Sequence, residues 1–398
     1  MAVSRTLLQA LETLRSQGED SVVASVVKVE GSAYRRPGAR MLIPRIGPHH
    51  GSVSGGCLER EIARKAWWLT EAGPSVRCYS TAEEGEEGET ALGFGLGCNG
   101  RVHVMFERIA GRAPALLADA LAAVERCAQP AALATVIASG AGARAKVGER
   151  LLLAQAGFQA DLGDSALERQ LRAELPGILA ARRSCLQHHG QGPASVEVFL
   201  EYLAPMPRLV IFGAGHDAQP LVRMARLLDW HVTVIDARPH FARRERFPEA
   251  DQVLVGDLAA PGELVRHLRG AAVAIMSHSL AQDERWLATA LQAEPRYIGQ
   301  LGPRDRTERL LASIQACHGQ LPAMAALHYP IGLDLGGDAP ESVAMAILAE
   351  IQAHLHGREG GQLRLRPSKI HPVDAAPHPA GAALQTTTDG AGNTATNL

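Results

Sequence analysis

Leu209-Val210-Ile211-Phe212-Gly213-Ala214-Gly215-His216-Asp217-Ala218 is the stretch that decides the fold of the second half of this chain. The apolar, β-branched start reads as a buried strand, and the Gly-x-Gly-x-x-Ala turn after it opens a helix. Gly213 permits the tight turn, Gly215 lets backbone amides approach a phosphate, and Ala218 is small enough for close helix–strand packing. His216 lies within the turn. Asp236 ends the next strand candidate, where an acid can accept hydrogen bonds from a ribose, favouring NAD over NADP; Arg238 beside it argues the other way. A turn that is only structural is the alternative reading.

Working outward from this turn, strands fit 208–212, 231–236, 252–255, 271–276 and 296–300, with helical patterns between them and a last helix at 340–355. Regular strand–helix alternation predicts a Rossmann-like, doubly wound parallel sheet. His278 and Asp283 follow the fourth strand, on the carboxyl edge where such sheets bind ligands. His278 reads either as a hydrogen-bond donor or proton relay, or as a loop histidine satisfied by backbone.

Upstream, Ala204-Pro205-Met206-Pro207 is the best linker candidate. The expected division is therefore an N-terminal mixed α/β domain over 1–204, a Rossmann-like domain over 205–357, and a tail over 358–398. The tail is rich in Pro, Gly, Thr and Ala without periodicity, and its composition predicts disorder. In the first part strands fit 22–29, 40–44, 75–80, 101–107, 131–138 and 150–155, and 196–202 alternates as an exposed strand does. Helices fit the segment after Ser4, the residues from Leu58 to Leu69, 114–127 and 164–182. No internal repeat is apparent.

Two cysteines stand in glycine-dense segments. Gly51-Ser-Val-Ser-Gly55-Gly56-Cys57-Leu-Glu59 places Cys57 at the start of a helix, where the dipole favours thiolate, and Gly55 and Gly56 would let a ligand reach backbone amides. Gly93-Phe-Gly-Leu-Gly-Cys98-Asn-Gly100 implies either close approach of a ligand or a tight turn. Cys78, Cys127, Cys185 and Cys317 read as small packing residues. Arg35, Arg36 and Arg40 flank a Gly/Pro loop and could grip a phosphate, or could form an ordinary solvated basic loop.

Composition narrows the function classes. The 398 residues carry 40 basic and 42 acidic side chains and only 4% aromatics. That balance argues against a nucleic-acid partner. No apolar run reaches the ~18 residues of a membrane span, and no signal-peptide pattern opens the chain, so a cytoplasmic protein is expected. Six cysteines without a Cys-x-x-Cys pair disfavour zinc fingers and ferredoxin-type clusters.

Taken together, these segments resemble the XdhC/CoxI family of molybdenum-hydroxylase maturation factors. The resemblance rests on Gly31-Ser-Ala-Tyr-Arg-Arg-Pro-Gly-Ala-Arg-Met41, Gly51–Glu59, Gly95–Gly100 and Phe212–Ala218, then Ser277-His278, Tyr297-Ile-Gly-Gln-Leu-Gly302 and Pro330-Ile-Gly-Leu-Asp334. It implies a non-catalytic chaperone that binds molybdenum cofactor (molybdopterin or its cytosine dinucleotide form) and protects it while a terminal sulfur is installed. The cofactor would then pass to the large subunit of an apo-hydroxylase such as xanthine or aldehyde dehydrogenase. A cysteine desulfurase and a second copy of the chain are the other implied partners. Cys57 matches the family cysteine associated with the cofactor, as a molybdenum contact, with Cys98 nearby. Phosphate or nucleotide, NAD included, would sit at Gly213–Ala218. Asn99 and Ser342 depart from the commoner glycine and acid. The competing readings are an NAD-dependent oxidoreductase with Cys57 as nucleophile, and a redox sensor in which Cys57 and Cys98 form a reversible disulfide.

Overall fold

The computed structural model describes residues 4–80, 100–319 and 322–367. The described residues divide into two compact units, one of Thr6–Ala204 and one of the residues from Pro205 to 367 together with Ser4 and Arg5.

The first unit opens with α1 (Arg5–Gln17), β1 (Ser21–Gly31), β2 (Arg40–Pro44), β3 (His50–Gly51), α2 (Glu59–Leu69), β4 (Ser75–Ser80) and β5 (Gly100–Ile109). It continues with α3 (Leu116–Cys127), β6 (Ala131–Ser139), β7 (Arg150–Ala154), β8 (Gly157–Ala160), α4 (Ser165–Ala181), β9 (Cys185–His189) and β10 (Val196–Leu203). These strands form two antiparallel sheets, ordered β3-β2-β1-β5-β4 and β8-β7-β6-β10-β9. The second order is the first repeated, strand for strand. The unit is therefore built twice, and the sequence reading that found no repeat is corrected here.

The correspondence extends to single residues. In β1 the register to β5 skips Val27, and in β6 the register to β10 skips Ile137. A bulge leaves one residue unpaired and turns its strand. Val27 and Ile137 meet Met105 of β5 and Phe199 of β10 in one buried cluster shared by the two sheets. Alongside it, the Arg40 guanidinium binds the Glu201 carboxylate with both terminal nitrogens, and Arg150 binds Glu107 at 2.8 Å. Each arginine also donates to a glycine carbonyl two residues back, Gly38 or Gly148, at 3.0 Å. Each pair thus joins one half to the other, reciprocally. All four side chains are at least 92% buried, so each charge depends on its partner for solvation.

Each half packs a helix on its own sheet. Leu58, Ile62, Ala66 and Leu69 of the α2 segment are buried at helical spacing, as are Leu167, Leu171, Leu175 and Ile178 of α4. Strand β10 is buried along most of its length, between β6 and β9. The alternation in its sequence suggested an exposed strand, but neighbours cover both of its faces.

The second unit comprises β11 (Arg208–Phe212), α5 (Ala218–Leu227), β12 (His231–Asp236), β13 (Gln252–Val255), α6 (Val265–Leu268), β14 (Ala272–Ile275), α7 (Leu280–Gln292), β15 (Tyr297–Gln300), α8 (Arg304–His318), β16 (Leu327–His328) and α9 (Pro340–Leu355). Its sheet is parallel throughout, in the order β13-β12-β11-β14-β15-β16. Leu209 and Ile211 face the layer of α5 and α9, whereas Val210 and Phe212 face α6, α7 and α8. Both faces are covered, which is why these strands read as continuous apolar runs. The order reverses beside β11, and there a doubly wound sheet opens its ligand crevice.

Candidate functional site

In the first unit the chain reaches α2 through Ser52–Leu58, and the loop is organised by a residue of the helix itself. Glu59 is 6% exposed. Its Oε1 accepts from Ser52 Oγ at 2.7 Å and from the amides of Val53, Ser54 and Gly55 at 3.2, 2.9 and 3.3 Å. Its Oε2 accepts from Ser54 Oγ and from Gly56 N at 2.9 Å. Ser54 Oγ accepts in turn from Leu58 N at 3.0 Å, completing the start of α2. Burial would raise the carboxyl's pKa, but the hydroxyl and amide bonds from Ser54 and Ser52 prevail and hold it at about 2.

This arrangement changes one sequence-based expectation. The amides flanking Gly55 and Gly56 are not open to a ligand, because Glu59 already takes them. The glycines serve the loop's own path: Gly55 has φ +154° and Gly56 +114°, values that a side chain rarely adopts. Cys57 follows them, exposed at the surface.

Around Cys57 the structure gathers part of the sequence-predicted set. The Tyr34 ring lies directly over Gly55, so close that a Cβ there would meet it at 3.0 Å. Tyr34 is nonetheless 76% exposed, with the Arg35 guanidinium 5.6 Å from its ring centre. The same loop contains the half-buried Arg36. Gly100, the last residue of the second glycine segment, packs against the Ser32 carbonyl at the base of this loop. Cys98 itself lies outside the described residues, as do Glu83–Glu89, Asn99 and the tail beyond residue 367. On the α2 side an open cleft of about 480 Å³ is lined by His49, Gly51, Ser52, Gly56, Glu59 and Arg60, among others.

Arg40 does not belong to this group. It was a candidate phosphate ligand, but Glu201 consumes its guanidinium in the interior. The expectation that four other cysteines are packing residues holds only for Cys185; Cys78, Cys127 and Cys317 are exposed.

In the second unit the turn after β11 has its expected close approach. Gly213 (φ +113°) lies so near Met276 and Ser277 that a Cβ would sit 2.6 Å from the Met276 carbonyl. Gly215, His216 and Asp217 carry the chain into α5. Asp236 is fully buried, and its carboxylate is saturated. It accepts from Ala214 N at 2.8 Å and from Arg238 N, Nε and Nη2 at 2.9 Å each. Burial would raise its pKa, but the Arg238 side chain and the two amides lower it. An acid expected to face a ribose is thus engaged by its own turn and by Arg238, whose guanidinium lies 3.9 Å from the Phe241 ring centre.

His278 follows β14 with φ +58°, an uncommon conformation for a residue with a side chain. Its Nε2 lies 3.0 Å from Asp217 Oδ2. The two residues therefore meet across the crevice where the strand order reverses, so His278 is not satisfied by backbone alone. Asp283 is fully buried instead of facing a ligand, accepting from Gln300 Nε2 at 3.1 Å and pairing with Arg306 at 2.7 Å.

Sequence reasoning missed Glu59, Tyr34 as a surface ring, and Asp217. For Glu59 a signal was present: an acid in the first helical turn, preceded by two serines and two glycines whose donors it could take up. Among the described residues no cluster of His, Cys, Asp and Glu could hold a metal ion.

Comparison with known proteins agrees with both units. Residues 14–80 match the XdhC and CoxI family, and residues 209–351 match the XdhC Rossmann domain. The chain is 29% identical over 344 residues to a probable xanthine dehydrogenase subunit of Bacillus subtilis (strain 168), spanning 86% of this chain and 95% of that one. It is 22% identical to the molybdenum cofactor insertion chaperone PaoD of Escherichia coli (strain K12), spanning 89% of this chain and 90% of that one. A solved structure described as a xanthine dehydrogenase from Bacillus halodurans superposes with a TM-score of 0.67 at 27% identity, covering 92% of this chain and 98% of that chain. With one match on the cysteine-bearing unit and the other on the parallel sheet, the chain belongs to the XdhC and CoxI family.

Proposed function

We propose that this protein is a maturation factor that binds molybdenum cofactor as cargo, keeps it while a terminal sulfur is installed, and passes it to an apo molybdenum hydroxylase. The observation that carries the proposal is Cys57, exposed on a loop held by Glu59 beside the exposed Tyr34 ring and Arg35. Each part suits one feature of the cargo. A thiol suits a thiophilic metal, an aromatic face suits a flat pterin, and a guanidinium suits a phosphate. The similarity to a chaperone named for molybdenum cofactor insertion supports the same reading.

In this proposal a cysteine desulfurase supplies the sulfur, the hydroxylase large subunit receives the cargo, and a homodimer in the cytoplasm is the working form. The cargo is molybdopterin or its cytosine dinucleotide form. NAD is less well matched, because Asp236 is not available to a ribose while Arg238 holds it.

The test is co-purification of the wild type and Cys57→Ala from cells that make molybdenum cofactor, measuring molybdenum and released pterin per chain. Near-stoichiometric pterin with the wild type and a large loss in the variant is the expected result. A folded protein that carries no pterin in either form overturns the proposal. Tight NADH binding with hydride transfer in such a protein would then favour the NAD-dependent enzyme.

A further inference from the structure

The two helix starts of the duplicated unit solve the same problem differently. At α4 the turn is Asp161–Asp164, and the Asp164 side chain caps the helix from outside, accepting from Ala166 N at 2.9 Å and Leu167 N at 3.2 Å. At α2 the regular helix begins only at Glu59, after the loop Ser52–Leu58, and the carboxylate comes from inside the helix. The two turns correspond in position, because Ser52 N donates to the Arg40 carbonyl and Asp161 N to the Arg150 carbonyl, both at 3.0 Å. An ordinary N-cap suffices to begin a helix on this scaffold. The Ser52–Leu58 loop and its internal carboxylate therefore do something more than begin α2.

Consecutive backbone amides converging with two hydroxyls make a nest, the usual receptor for a phosphate or another anion. Here the nest formed by Ser52–Gly56 already holds an anion, the chain's own Glu59, through six hydrogen bonds. Cys57 is the next residue outward. Resting on the cofactor reading above, we propose that Glu59 is the positioning residue of the Cys57 loop and decides which end of the cargo the thiol meets. By filling the nest it denies those donors to the phosphate and sets a fixed negative charge behind the thiol. The metal end of the cargo then meets Cys57, and the phosphate is turned away from this loop.

The test uses the full chain and needs no cofactor for its main readout. Cys57 is labelled with neutral iodoacetamide and with anionic iodoacetate, and the ratio of the two rates is taken by mass spectrometry. Exposed Cys127 in the same molecule is the internal reference. Because both reagents attack the same thiolate, the ratio cancels the thiolate fraction and reports the local charge. In Glu59→Gln the iodoacetate-to-iodoacetamide ratio at Cys57 is expected to rise by about threefold, the effect of removing one nearby unit charge in a water-like medium, and to stay fixed at Cys127. Pterin per chain should fall toward the level of Cys57→Ala.

A folded Glu59→Gln with an unchanged ratio at Cys57 overturns the proposal, as does a changed ratio with full pterin occupancy. Should Glu59→Gln not fold, Ser52→Ala, which removes only the Ser52 hydroxyl bond to Glu59 and keeps the charge, should lower pterin occupancy without changing the ratio. Full occupancy in that variant also overturns the proposal. If the wild type itself carries no pterin, the cofactor reading fails on its own, and the labelling ratio still decides whether Glu59 sets the charge at Cys57.

Discussion

The two halves of the first unit share strand order, bulge position, a common seam and reciprocal Arg–Glu pairs, yet their connections differ, two of them most tellingly. Between β3 and α2 the first half runs through Ser52–Leu58, where the second half turns within Asp161–Asp164. Between β4 and β5 it runs from Ser80 to Gly100, where the second half turns between His189 and Val196. These two connections are the glycine–cysteine segments. What the halves have in common is scaffold, and what distinguishes them includes the loop on which the proposed cofactor site rests. Loops on a rigid support can vary without disturbing the core beneath them.

The comparison can be broken most severely by erasing the difference. Replacing Ser52–Cys57 with the equivalent Asp161–Ala166 sequence, Asp-Leu-Gly-Asp-Ser-Ala, together with Glu59→Gln, keeps the buried Leu58 and should leave the unit folded while abolishing cofactor retention, measured as pterin per chain. Retention at the wild-type level would mean that this loop is not the site.

Removing one partner of a reciprocal pair should have the next largest effect. Glu201→Ala and Glu107→Ala each strand a buried guanidinium and should cost ~3–5 kcal/mol in denaturant unfolding. The two costs should be alike, and a large inequality would show that the halves are not energetic equivalents.

Glu59→Gln loses charge-assisted bonds and should cost ~2–3 kcal/mol near neutral pH. The folded carboxyl titrates at about 2 against an ordinary 4.5. Its stabilisation is therefore complete above about pH 4.5 and is lost as pH falls toward about 2, so the gap between variant and wild type should close on acidification. A gap independent of pH would refute the ionic role.

Asp164→Ala, the counterpart on the plain side, removes an ordinary cap and should cost only ~1 kcal/mol by the same unfolding measurement. A cost as large as that of Glu59→Gln would erase the distinction between the two helix starts.

The Rossmann-like sheet was legible because its signals are local. Contiguous apolar strands, one Gly-x-Gly-x-x-Ala turn and helical periodicity each lie within a few residues, and the last helix at 340–355 was legible to its ends. The connection at Asp236 was not legible in the same way. A lone acid at a strand end predicts a ribose acceptor, but the turn amide of Ala214 and the fork of Arg238 reach it first. Short strands such as β3, β8, β9 and β16 escaped because their two to five residues contain no apolar run.

Sequence by itself determined the parallel-sheet architecture, the position of Cys57 just ahead of a helix, and the family resemblance, since all three reside in contiguous motifs. Only the tertiary structure decided that the first unit is built twice, because the repeat survives as burial pattern and register, with few identical residues. It also decided that Arg40 is a structural ion and not a phosphate ligand, since its partner Glu201 lies 161 residues away in the chain. The amides at Gly55 and Gly56 belong to Glu59 for a related reason: a buried carboxylate must find donors, and the folded loop supplies them at closer range than any solvent or ligand.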